Sequence, residues 1–159
     1  MNLRMFDEID RRILSLLQRD GRITNADIAR AVEMAPSAVL ERVRKLEERR
    51  VIEGYHAKLS PRAVAKGLLA FVLVRTDSGW QADAAQRLCS LADVQEVHHI
   101  AGEDCFLIKV RTTDTSTLGA MIRDQVSALP NVRSTRTTIV LDTAKETLAV
   151  DLSDLAIKE

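Results

Sequence analysis

Between Asp7 and Arg50 three helix patterns follow one another with only a few residues between them, and that compression leaves few folds open. Asp7 can cap a first helix with apolar positions at Ile9, Ile13, Leu16 and Leu17, and Gly21 can end it. Thr24 can cap a second, shorter helix with Ile28, Ala29 and Val32 on one face. Pro36 suits the first turn of a third, where Val39, Val43 and Leu46 repeat at spacings of four and three. Helices this short are marginal alone, so each must bury its stripe against the other two. After Arg50 the stretch VIEGYHAKL loses the helical period and reads as extended.

Helix, short helix, turn and longer helix are the parts of a helix-turn-helix, in which the third helix is presented to a DNA major groove. Its outward residues are Ser37, Ala38, Leu40, Glu41, Arg42, Arg44 and Lys45, with Arg49 and Arg50 beyond. Arginine and lysine there can hold phosphates or base edges, and Ser37 can reach either from the helix start. A basic helix alone is as easily a solvated face salt-bridged from Glu41 to Lys45; the two preceding helices favour the DNA reading.

From Leu68 the period changes. LLAFVLVRT is a buried strand, ADAAQRLCSLADV a helix with Ala84, Leu88 and Leu91 inward, and VQEVHHIA and CFLIKVRT are two strands joined at Gly102–Glu103–Asp104. A helix from Thr115 to Leu129 carries Leu118, Met121, Ile122 and Val126 on one face, and VRSTRTTIVL is a fourth strand. The order βαββαβ is ferredoxin-like: two helices cover one face of an antiparallel sheet. The other face is half apolar and calls for a second copy of the chain. The fold class is therefore α+β: a winged helix-turn-helix domain over residues 1–62, a linker at 63–67, and a ferredoxin-like domain with a C-terminal extension over 68–159.

Charge supports two modules. The 159 residues are neutral overall, yet residues 1–62 hold 13 Lys+Arg against 10 Asp+Glu and the remainder 10 against 13. Hydrophobic content of 46% excludes a disordered chain. No apolar run approaches the roughly 20 residues of a membrane span, and the N-terminal residues lack a signal-peptide pattern, so the chain reads as cytoplasmic. Cys89 and Cys105 fit no zinc spacing, and His98 and His99, adjacent in a strand, point opposite ways and cannot share a metal. A catalytic or redox role for Cys105 lacks a base nearby in sequence. Neither a cofactor nor a metal is expected.

Four segments together, DEIDRRILSLLQRDGRITNADIARAV, VRKLEERRVIEGYHAKLSP, AGEDCFLIKV and NVRSTRTTIVLDTAK, resemble the Lrp/AsnC family of bacterial and archaeal regulators over nearly the whole chain. The resemblance implies a regulator of double-stranded DNA that forms homodimers, assembled further into tetramers or octamers, and associates with the nucleoid. It also implies an amino-acid effector bound between dimers at the turn of the middle two strands. Carried over, that turn is Ala101, Gly102, Glu103, Asp104 and Cys105, faced by Thr135, Thr137 and Thr138. Of the two adjacent histidines, which face opposite ways, His99 is expected to line the pocket and His98 an interface. The chain departs from the family pattern in four places. Cys105 stands where many members have aspartate, Glu33 where they have glycine, Ala35 where a serine caps the third helix, and Glu41 where many carry arginine. Two rival readings stay open. One is an enzyme of the sirohaem decarboxylase type, which resembles the same layout; the other is an architectural DNA-binding protein without an effector.

Overall fold

The computed structural model describes residues 6–77, 82–103 and 105–157. The chain divides into two compact units, one formed by residues up to Ala57 together with those from Glu146 onward, the other by Lys58–Lys145. The expected grouping of 68–159 thus differs from the contacts, which return the C-terminal segment to the first unit.

In the first unit α1 (Glu8–Arg19) begins at a capping box: Asp7 accepts from the Asp10 N–H and the Asp10 side chain accepts from the Asp7 N–H. It ends at Asp20 in extended conformation, so Gly21 supplies no left-handed cap. Thr24 caps α2 (Asn25–Val32) by accepting from the Asp27 N–H at 3.1 Å. The core contains Ile13, Leu14, Ile28, Ala29, Val32, Val39, Val43 and Leu46, with Ile9, Leu16 and Leu17 packed at its edge. Arg12 ties α1 to α2 by donating to the Ala31 carbonyl.

Two joints in this unit carry avoidable cost. Glu33, which ends α2, sits at φ 57°, ψ 46°, a left-handed conformation that crowds a Cβ. Ala35 starts α3 (Pro36–Glu48) with no side-chain cap. Ala35→Ser is expected to raise stability by ~1 kcal/mol. Glu33→Gly should add about 0.5–1 kcal/mol, the relief of strain being partly offset by a more flexible unfolded chain. Both are read as a rise in urea midpoint at unchanged m-value.

After α3, residues 53–60 form neither helix nor strand, so where the sequence predicts a wing no β-ribbon follows the helix-turn-helix among the described residues. The tail returns to α1. Leu152 and Leu155 pack on the core, the Gln18 amide both donates to the Val150 carbonyl and accepts from its N–H, and Phe6 bridges Ile157.

The second unit opens with a hydrogen-bonded turn over residues 61–65 and continues β1 (Leu68–Thr76), α4 (Ala82–Cys89), β2 (Val94–His99), β3 (Phe106–Thr112), α5 (Thr115–Met121) and β4 (Val132–Ile139). The sheet is antiparallel in the order β2-β3-β1-β4. Asp114 caps α5, which continues as a π-helical turn over Ile122–Val126. Ala84 and Leu88 from α4, and Leu118, Met121 and Val126 beyond, cover Ala70, Val72, Val74, Phe106, Ile108 and Val110. The opposite face presents Phe71, Leu73 and Leu107, each half-buried.

Candidate nucleic-acid interface and effector site

Burial of Val39, Val43 and Leu46 turns Ser37, Leu40, Glu41, Arg44 and Lys45 outward, all exposed, while Ala38 is half-buried. Leu40 is 55% exposed, an apolar contact of the kind that meets a thymine methyl. It also borders a groove of about 350 Å³ lined by Leu17, Ile23, Arg44 and Tyr55, whose hydroxyl donates to Glu47 at 2.9 Å.

Arg42 behaves differently. Its Nη1 donates to Asp7 Oδ2 at 2.7 Å and to Asp10 Oδ1 at 2.8 Å, which fastens α3 to the start of α1. The Arg42 side chain is only 29% exposed and the Asp10 side chain 12%, so this guanidinium is a structural tie and not an outward cation. Burial alone would raise the Asp7 carboxyl. The Asp10 N–H and the Arg42 guanidinium outweigh it and hold the group below its ordinary value. Position 42 lies three residues after Val39 and four before Leu46, beside the buried stripe rather than opposite it; that spacing is the signal the outward assignment overlooked.

Arg44 is paired on its own helix. Its Nε and Nη2 grip Glu41 at 3.0 and 2.9 Å, its Nη1 donates to Glu48, and Lys45 lies 3.4 Å from Glu41. These hydrogen bonds to Arg44 hold the Glu41 carboxyl down to about 2. Beyond α3, Arg49 lies over the Phe6 ring at 5.3 Å and Arg50 takes a left-handed φ of 54°.

In the second unit Gly102 adopts φ 123°, and an added Cβ would meet nothing within 4 Å, so conformation rather than space requires glycine. Ala101 and Glu103 are exposed beside it. Asp104 lies outside the described residues. Cys105, expected at the pocket, is 8% exposed and belongs to the core cluster, with its N–H donating to the Val74 carbonyl at 2.9 Å.

The register sets the other candidates apart. His98 pairs with Leu107 on the open face, where it lies 3.1 Å from Glu96; His99 pairs with Phe106 on the helix-covered side, ring centroids 6.1 Å apart. Thr135 and Thr137 lie opposite Val74 and Val72 and share their side, whereas Thr138 lies opposite Phe71 and faces the other way. The hairpin and β4 are separated by β1, two strand spacings or roughly 10 Å, so one chain alone does not bring the turn and the threonines around a small ligand. One partner of the turn was not anticipated: Arg75, near the end of β1, lies 3.1 Å from Glu103. Alternation along β1 puts Arg75 on the open side with Phe71 and Leu73, and only the sheet order brings it to the turn. Among the described residues no group of three His, Cys, Asp or Glu side chains is placed to hold a metal.

Residues 6–47 match the AsnC-type helix-turn-helix domain, and residues 69–150 match the Lrp/AsnC ligand binding domain. The chain belongs to the Lrp/AsnC family. The HTH-type transcriptional regulator FL11 of Pyrococcus abyssi is 36% identical over 141 residues, 89% of this chain and 93% of that protein. The leucine-responsive regulatory protein of Salmonella typhimurium is 37% identical over 145 residues, 88% and 87% of the two chains. In structure, a transcriptional regulator of Neisseria meningitidis in complex with L-Met aligns with a TM-score of 0.86 at 28% identity, over 94% of this chain and 98% of that one. A feast or famine regulatory protein of M. tuberculosis complexed with L-methionine aligns at 0.84 and 35%, over 91% and 97%. This Lrp/AsnC protein is accordingly a DNA-binding transcriptional regulator, and the decarboxylase alternative is set aside.

Proposed function

We propose that this regulator reads double-stranded DNA through Ser37, Ala38, Leu40, Glu41, Arg44 and Lys45 of α3, and that it responds to an amino acid bound at the Gly102 turn between copies of the chain. The observation that carries the effector reading is the exposed Arg75–Glu103 pair at that turn. A free amino acid is a zwitterion. A guanidinium suits its carboxylate and a side-chain carboxylate its ammonium, and here the two lie side by side next to a glycine that leaves backbone accessible. Thr135 and Thr137, out of reach within one chain, can contribute from a second copy. The bound L-methionine of two structural relatives favours this ligand class. The half-buried Phe71, Leu73 and Leu107, rimmed by Glu96, Lys109 and Arg136 on the same open face, suit a second copy as the cover, so the assembly starts from a homodimer. A DNA-binding role fits a protein of the cytoplasm that associates with the nucleoid.

The effector works by preferring one assembly over another, and coupling of ~1–3 kcal/mol gives a several-fold to hundredfold change in DNA binding. Thermal shifts across the twenty amino acids, with assembly size followed by light scattering, test this directly. At least one amino acid is expected to raise the melting temperature and change the assembly, and Arg75→Ala with Glu103→Gln to abolish both effects. A flat panel overturns the effector reading and leaves an architectural DNA-binding protein.

A further inference from the structure

With Arg42 drawn inward, Arg44 and Lys45 are the cations that α3 turns outward, and both touch Glu41. We propose that Glu41 is a specificity-determining residue of the DNA interface: it is the resident counter-ion of Arg44 and Lys45, and it releases them only where the amino group of a cytosine takes their place.

The inference rests on the reading of α3 as the helix that meets DNA, and the geometry adds the rest. Arg44 offers Nε and Nη2 to the two carboxylate oxygens of Glu41 at 3.0 and 2.9 Å. This is the same two-pronged grip that would hold a phosphate or the O6/N7 edge of guanine. Nη1 is directed to Glu48, so the outer fork of Arg44 is occupied by carboxylates of its own helix. From Pro36 to Glu48 three acids balance three bases, and the helix has little net attraction for phosphates.

Generic DNA must therefore displace Glu41 and leave a carboxylate beside phosphates without a donor. The charge cannot be shed by protonation, because an exposed carboxylate stays ionised near neutral pH. A cytosine N4 amino group in the major groove restores a donor to that carboxylate and frees the Arg44 fork for a neighbouring base or phosphate. The acid thus penalises most sequences and spares a few. It filters sites, where an arginine in its place would add affinity to every sequence.

The test uses the full chain, a duplex selected from a random pool by the unmodified protein, and a duplex of A·T pairs only, each titrated across salt. Glu41→Gln keeps the shape at an exposed position and removes the charge. It is expected to bind the A·T duplex about 5–10-fold more tightly, with a salt slope steeper by about one. Repeated selection with this variant should move one position from cytosine to adenine, the base whose edge suits glutamine. Arg44→Ala serves as the reference and should weaken binding to both duplexes. The proposal is overturned if Arg44→Ala weakens binding while Glu41→Gln leaves the A·T affinity and the selected base unchanged, or weakens binding throughout. If Arg44→Ala changes neither duplex, the assignment of α3 fails first and takes the proposal with it.

Discussion

Arg42→Ala is expected to lower the stability of the DNA-binding unit by about 2–3 kcal/mol while leaving the salt dependence of DNA binding unchanged. The two readouts separate a structural tie from a contact. A solvent-exposed ion pair contributes about 0–1 kcal/mol and would not give so large a loss. The Asp10 side chain, however, is 12% exposed, and removing Arg42 takes away its guanidinium donor in a site that water reaches poorly. Hydrogen bonds to charged groups contribute about 1.5–3 kcal/mol each, and an abandoned buried acceptor adds to the loss. Asp7 loses the same donor, and Asp7 also caps α1, so the damage falls on the helix against which α3 is seated. Arg44→Ala should behave in the opposite manner, with a salt slope lower by about one and little change in stability, since its side chain is 54% exposed.

The same tie predicts a pH dependence. Asp7 titrates below its ordinary value in the folded chain, so near pH 3–4 the unfolded chain binds more protons. Its contribution is fully present above the ordinary carboxylate range and is lost as pH falls through the depressed folded value. Urea unfolding at pH 7 and pH 3 should show a smaller difference for Arg42→Ala than for the unmodified chain. An Arg42→Ala protein as stable as its parent at pH 7, but with a reduced salt slope, would return Arg42 to the DNA interface.

What could be read from residues alone followed from periodicity. Val39, Val43 and Leu46 mark the buried side of α3, and alternation from Phe106 to Thr112 marks that of β3, because burial repeats at the period of the element. Periodicity says which residues turn outward but not which of those find partners from another element. Arg42 reads as outward for that reason, its partners lying more than thirty positions earlier in the chain. Arg75 carries no signal in sequence for the converse reason, since only the sheet order brings β1 and the Gly102 turn together. Cys105 shows the limit of carrying a position over from relatives: in this chain its side chain belongs to the core cluster and its N–H donates to the Val74 carbonyl. The tail was invisible as part of the first unit, because Leu152 and Leu155 form no pattern of their own and acquire meaning only against α1–α3.

Removing residues 146–159 is therefore expected to destabilise the first unit rather than the sheet to which those residues are joined in sequence. Leu152 and Leu155 are half-buried on the core formed by α1–α3, and full burial of a leucine contributes about 1.5–3 kcal/mol. Two hydrogen bonds between the Gln18 amide and the Val150 backbone, at 2.6 and 3.1 Å, add about 1 kcal/mol each at most. Ordering the tail offsets much of this gain, since each fixed residue costs about 1–2 kcal/mol of backbone entropy. The net loss on truncation should be on the order of 1–3 kcal/mol, and for a unit of this size each kcal/mol moves the melting temperature by roughly 4–8 °C. Calorimetry of the truncated chain should show the helical transition moved down and the sheet transition in place. Leu152→Ala combined with Gln18→Ala should reproduce part of the shift without shortening the chain. A shift in the sheet transition instead would mean that the tail packs on the second unit.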